Sequence, residues 1–204
     1  MTNTEKGLVI VSSVERAVAR RVAGSLPRYI SKDDVDHMVA VARSPRDAML
    51  IRSCWNTGGR ISEVLALTRR DLDVAGRCAR LANLKQRKGA EKMVFLNAEF
   101  VADLIAYCAD AGIRGDSFVF PSARRNGPLS RKAAWEIVHK AGLEVGLDVH
   151  PHTLRHSNAV HLLRAGIPLS AVQKQLGHAS ILTTTIYTQA SPEDMRRFIG
   201  QVQF

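Results

Sequence analysis

Between Arg77 and Leu96 the apolar residues stop recurring every three to four positions, and this change of period constrains the fold more than any other feature. "RCARLANL" alternates, "MVFL" is a short apolar run, and the polar, Gly-containing "KQRKGAEK" separates them. Alternation sends successive side chains to opposite faces, so the stretch reads as a β-hairpin with an exposed basic tip. Elsewhere the pattern is helical and punctuated by caps. Ser31, with Asp34 three residues on, forms a capping-box pattern ahead of the apolar face Val35, Met38, Val39 and Ala42. Ser44 and Pro45 open a second helix that stops at Gly58-Gly59. "RISEVLALTRRDLD" predicts a third, burying Ile61, Val64, Leu65 and Leu67. The helical "NAEFVADLIAYCADAG", a short strand-like "SFVF", a turn from Pro121 to Pro128 and a helix capped by Ser130 follow. "HPHTLRHSNAVHLL" gives the next helix, ended by Gly166-Ile167-Pro168, ahead of "SAVQKQLGH" and "ILTTTIYT". A last helix starts at Ser191 and Pro192, with Met195, Phe198, Ile199 and Val202 along one face. The expected fold class is mainly α (α+β), helical with one small antiparallel β-sheet. Residues 1–27 are expected to form an N-terminal arm and 28–204 the compact domain.

A chain of 204 residues, 46% hydrophobic and 24% charged, can bury a real core. No apolar run approaches the roughly 20 residues that cross a bilayer, and the N-terminus lacks the charge order of a signal peptide. The expectation is a cytoplasmic protein with no membrane contact. Cys54, Cys78 and Cys108 are odd in number, widely spaced and set among apolar residues, so they read as buried free thiols. Charge is more telling. Lys plus Arg total 29 against 19 Asp plus Glu, a net of +10, which is the footprint of a polyanion binder, with nucleic acid foremost. The excess is clustered at Arg69, Arg70, Arg77, Arg80, Lys85, Arg87, Lys88 and Lys92, and again at Arg124, Arg125, Arg131 and Lys132.

The stretch from His150 to Leu163 holds four histidines and an arginine. Metal ligation is disfavoured, because "HTLRH" lacks a zinc-protease glutamate and its guanidinium would repel a cation. No metal and no cofactor are expected. His152 and Arg155 are three residues apart and share a helix face. An arginine fork can grip two phosphate oxygens while a neighbouring histidine moves a proton near neutral pH. Arg60, after the Gly-Gly break, lies at a helix start where backbone N–H groups also favour an anion. With the basic hairpin, these residues make a cradle for a phosphodiester. His150, His156 and His161 read as framing or ordinary surface.

These residues carry a family resemblance. "TGGRISEVLALTRRDLD" resembles the first signature of the tyrosine recombinase (phage integrase) family. "HPHTLRHSNAVHLLRAGIPLSAVQKQLGHASILTTTIYT" resembles the second, an H-x-x-R followed by L-G-H and then a tyrosine nine residues beyond His178. "KGAEKMVFL" is similar to the hairpin that carries the family's lysine. The resemblance implies a helical tyrosine-recombinase catalytic domain. Tyr187 would attack a DNA phosphate to leave a 3′-phosphotyrosine, with Arg60 and Arg155 stabilising the charge that develops on the phosphoryl oxygens. His152 would assist proton transfer, His178 would bond a phosphate oxygen, and Lys88, preferred over Lys85 and Lys92, would protonate the departing 5′-oxygen. The implied partners are double-stranded DNA, a homo-tetramer on DNA with a dimer per site, and accessory DNA-binding proteins. Size, "HPHTLRHS" and "PLSRK" look most like the short fimbrial phase-switch recombinases. Two rival readings share much of this pattern: a type IB topoisomerase-like enzyme, and a DNA-binding regulator that does not cut.

Overall fold

The computed structural model describes residues 29–82, 91–123 and 126–177. Among them are seven α-helices and a three-stranded antiparallel sheet, in the order α1 (Lys32–Ala40), α2 (Pro45–Thr57), α3 (Ile61–Leu65), β1 (Leu72–Asp73), β2 (Cys78–Ala82), β3 (Glu91–Phe95), α4 (Ala98–Asp110), α5 (Arg131–Glu144), α6 (Pro151–Arg164) and α7 (Leu169–Leu176). The mainly helical reading therefore holds.

The helix starts are set by side-chain caps. Ser31 accepts from the Asp34 N–H while the Asp34 carboxylate accepts from the Ser31 N–H, so two donors without intrahelical partners are satisfied together. Ser44, Asn97 and Ser130 cap α2, α4 and α5 with one bond each, their side chains accepting from the N–H groups of Asp47, Phe100 and Ala133, each cap worth about 1 kcal/mol. At the centre lies α2, whose Leu50, Ile51 and Cys54 are wholly buried. It packs against α1, α4 and α6, and one continuous core joins it to Val64 and Leu67, to Leu81 and Val94 of the sheet, and to Phe100, Phe120, Val138 and Leu154. Val172 and Leu176 of α7 form a small second cluster with Ala159.

Two local expectations change. The helix predicted over "RISEVLALTRRDLD" ends at Leu65, and a 3-10 turn (Arg69–Asp71) leads into β1. Here the Asp71 carboxylate accepts from both the N–H and the hydroxyl of Thr68, at 2.8 and 2.6 Å, so local side-chain bonds outcompete the helical ladder. The hairpin thereby gains a third strand, with Leu72 opposite Ala79 and Asp73 opposite Cys78. "SFVF" joins no ladder; Phe118 makes one isolated bridge to Thr68, and the Val119 N–H donates to the Leu67 carbonyl. The predicted β2–β3 pairing is present, running from Cys78 opposite Phe95 to Ala82 opposite Glu91. All three cysteines are buried free thiols, and burial pushes Cys54 up to about 12. Among the described residues no helix is long and apolar enough to cross a membrane.

Candidate active site

The "TGGR" segment is shaped by close approach. Gly58 ends α2 in the left-handed region, at φ +55°, and a Cβ there would fall 2.5 Å from Leu176 Cδ2 and 2.6 Å from Asn158 Oδ1. Only glycine lets α2 end this close to α6 and α7. Thr57 steadies the turn, its hydroxyl donating to the Ser53 carbonyl and accepting from the Gly59 N–H. Arg60 is then the N-cap of α3. Its backbone N–H donates to Glu63 Oε2 at 2.9 Å and its guanidinium Nη1 to Glu63 Oε1 at 2.7 Å. Glu63 is thus a reciprocal cap that also holds the arginine's fork, with only 1% of its side chain exposed.

Arg155 reaches the same place from α6. It is 6% exposed, and it donates through Nη1 to the Gly58 carbonyl at 2.6 Å and through Nη2 to the Leu176 carbonyl at 2.9 Å. Leu176 is the last residue of α7, so its carbonyl has no intrahelical partner and sits at the negative end of the helix dipole, where a cation is favoured. A second cation uses the same oxygen: Lys92 Nζ donates to the Leu176 carbonyl at 2.8 Å and pairs with Glu63 Oε2 at 2.9 Å. The two arginine signatures and the hairpin therefore meet in one buried network.

Its electrostatics follow from burial and from three cations around one carboxylate. Burial pushes the Glu63 carboxyl up, but the Arg60 N–H, Lys92 and the Arg60 guanidinium outweigh it and hold the group below its ordinary 4.5. Burial draws the Lys92 ammonium below its usual 10.5, against the pull of Glu63, and the nearby Arg155 and Arg60 charges add to the lowering. Among the described residues, Glu63 is the one carboxylate bonded to this group of cations, and a site so rich in positive charge suits an anionic ligand.

Of the predicted residues, Arg60 and Arg155 are brought together by this network. His152 is exposed in the first turn of α6, whose start is tied by the His150 N–H donating to Thr153 Oγ1. His156 is half-buried, and His161 sets its ring 5.4 Å from that of Trp55. Lys88, His178 and Tyr187 lie outside the described residues, as do Lys85, the N-terminal arm and the predicted last helix. Sequence reasoning missed Glu63 entirely and weighed Lys92 only as a rival proton donor. Both left a signal. Glu63 stands three residues after Arg60 at a helix start, and Lys92 alternates in phase with the buried Val94.

A family model described as the phage integrase family matches residues 28–194. Tyrosine recombinase XerA of Pyrococcus horikoshii is 31% identical over 196 residues, covering 94% of this chain and 67% of the relative. Tyrosine recombinase XerD of Bifidobacterium longum is 34% identical over 208 residues, covering 91% of this chain and 66% of the relative. The chain thus spans about two thirds of the length of these curated relatives. Among solved structures, the crystal structure of XerA recombinase superposes with a TM-score of 0.74 at 26% identity, over 88% of this chain and 67% of that one. The catalytic domain of bacteriophage HP1 integrase shares the fold, with a TM-score of 0.60 at 22% identity, over 85% of this chain and 94% of that one. This span of similarity, in a chain whose Arg60 and Arg155 meet in one buried network, places it in the phage integrase family of tyrosine recombinases.

Proposed function

We propose that this chain is a site-specific DNA recombinase that cleaves and rejoins DNA through a 3′-phosphotyrosine, giving integration, inversion or resolution. The observation that carries the reading is the convergence of Arg60 and Arg155 on one buried network, through Glu63, Lys92 and the Leu176 carbonyl. Two guanidinium groups held by acceptors behind them are already oriented when phosphate arrives, so little reorganisation is needed as charge grows on its oxygens. Tyr187 is the nucleophile; its hydroxyl forms the new P–O bond as the bond to the 5′-oxygen breaks. His152 takes part in moving the tyrosine's proton, Lys88 gives one to the departing 5′-oxygen, and His178 bonds a non-bridging oxygen. One phosphodiester replaces another, so the step calls for neither a nucleotide cofactor nor a metal.

The partner is double-stranded DNA, which the net charge of +10 favours. The related XerH site-specific recombinase has been solved bound to a palindromic difH substrate. Residues 28–204 would act as the catalytic domain and residues 1–27 as an arm. Assembly would be a tetramer on DNA with a dimer per site, aided by accessory DNA-binding proteins, in the cytoplasm. The motifs "HPHTLRHS" and "PLSRK" favour a fimbrial phase-switch type of reaction. The test is incubation with nicked suicide substrates carrying candidate sites, in EDTA. A covalent adduct that disappears in Tyr187→Phe supports the proposal. An adduct that persists in that variant overturns the nucleophile, and the absence of any adduct on cognate sites favours a regulator that does not cut.

A further inference from the structure

The hairpin and α7 are joined more tightly than sheet packing requires. Gln175 lays its amide along the edge of β3, accepting from the Phe95 N–H at 3.0 Å and donating to the Phe95 carbonyl at 2.7 Å, as a neighbouring strand would. Three residues back along β3, Lys92 turns inward, in phase with the buried Val94, and only 9% of its side chain is exposed. Its stem runs against Gly177, where a Cβ would meet Lys92 Cδ at 2.8 Å, so glycine there makes room for it. Its ammonium ends between Glu63 Oε2 and the Leu176 carbonyl. Those two acceptors are the ones that hold Arg60 and Arg155.

We propose that Lys92 is a positioning residue for the phosphate site: by bridging Glu63 and the Leu176 carbonyl it fixes both arginine forks at once, and makes their alignment depend on the hairpin being docked on α7. The idea rests on the recombinase reading for its activity test. A buried lysine used as a proton donor would need a path to the leaving oxygen, whereas two of the three N–H groups of this ammonium are directed at acceptors that do not react. Without it, among the described residues, the Glu63 carboxylate would keep only Arg60 as a cation and could swing toward it, and the Leu176 carbonyl would keep only Arg155. Each fork would then have a second orientation open to it. Lys92 accordingly acts on the geometry of the arginines and leaves proton delivery to another group.

The experiment compares wild type, Lys92→Met and Lys92→Arg in single-turnover cleavage at saturating DNA, on an ordinary phosphodiester and on the same site with a bridging 5′-sulfur. Sulfur leaves without protonation, so it rescues loss of a proton donor and not loss of alignment. Lys92→Met is expected to cleave both substrates about 10- to 100-fold more slowly, the scale set by small misplacements in an active site, with DNA affinity little changed. Lys92→Arg, which keeps a cation able to reach both acceptors, is expected to recover most of the rate. Wild-type rates in Lys92→Met overturn the proposal, and so does full rescue by sulfur, which would make Lys92 the proton donor. A second readout needs no activity: ¹⁵N spectra of the arginine side chains should show slowly exchanging guanidinium protons for Arg155 in wild type and faster exchange in Lys92→Met. Should wild type cut no site, the recombinase reading fails while these spectra still decide the role of Lys92, and unchanged Arg155 exchange in Lys92→Met would sink it.

Discussion

Glu63→Gln is the sharpest probe of the buried network, because it removes a charge and almost no volume. In the native site the carboxylate accepts three bonds, from the Arg60 N–H at 2.9 Å, the Arg60 guanidinium at 2.7 Å and the Lys92 ammonium at 2.9 Å. A glutamine keeps one acceptor oxygen. Its better orientation leaves that oxygen facing the Arg60 N–H and Lys92, and turns its NH₂ group against the Arg60 guanidinium. One bond to a charged group is then lost, worth about 1.5–3 kcal/mol, and the two survivors fall to roughly half strength as neutral acceptors. The total approaches the roughly 3–5 kcal/mol expected when one partner of a buried ion pair is removed. For a chain of this size each kcal/mol shifts Tm by about 2–4 °C, so the variant should melt about 6–20 °C lower at pH 7. Circular dichroism across a thermal ramp measures it. The pH dependence supplies the sign. Because the folded carboxyl is held below its ordinary 4.5, its contribution is fully present above that value and is lost as pH falls through the lower folded value. The gap between wild type and variant should therefore close in acid. A variant melting within about 2 °C of wild type at pH 7, less than the shift expected from 1 kcal/mol, would show that the Glu63 charge does not hold this network together.

Other consequences are simpler. Gly58→Ala puts a side chain at φ +55° and 2.5 Å from Leu176, so it should cost more than about 1 kcal/mol and lower Tm measurably; an unchanged melt would show that α7 can move aside. Cys54, Cys78 and Cys108 are buried with thiols pushed above their ordinary range, so intact protein should take up no iodoacetamide at pH 8, while urea-unfolded protein takes up three labels by mass spectrometry. DNA affinity should fall steeply with salt, with a log–log slope of roughly −0.9 per phosphate contacted, and a flat salt profile would argue against backbone recognition.

Much of this molecule is legible in its residues, and the reasons differ by element. Ser31, Ser44 and Ser130 announce their helices because capping is local chemistry, settled within four residues of chain. The hairpin shows itself by its period. The break after Leu65 does not, because "LTRRDLD" keeps a helical spacing while Asp71 takes the Thr68 donors and turns the chain into β1. Arg60 and Arg155 stand out by their types and surroundings. That their orientation is fixed by Glu63, Lys92 and a backbone carbonyl is invisible in the sequence, since Gly58 and Arg155 are 97 positions apart and a carbonyl has no identity in a sequence. Lys92 illustrates the limit well. Composition marks it as one more basic residue of an exposed tip, and only its phase with Val94 says that it points inward.

Mass spectrometry of the trapped adduct is the decisive measurement of the proposed covalent bond between Tyr187 and DNA. After nuclease and protease digestion, one peptide containing Tyr187 is expected to carry a nucleotide remnant joined through a 3′-phosphate, with a free 5′-hydroxyl on the released strand. A remnant on any other residue, or a linkage to a 5′-phosphate, would contradict it.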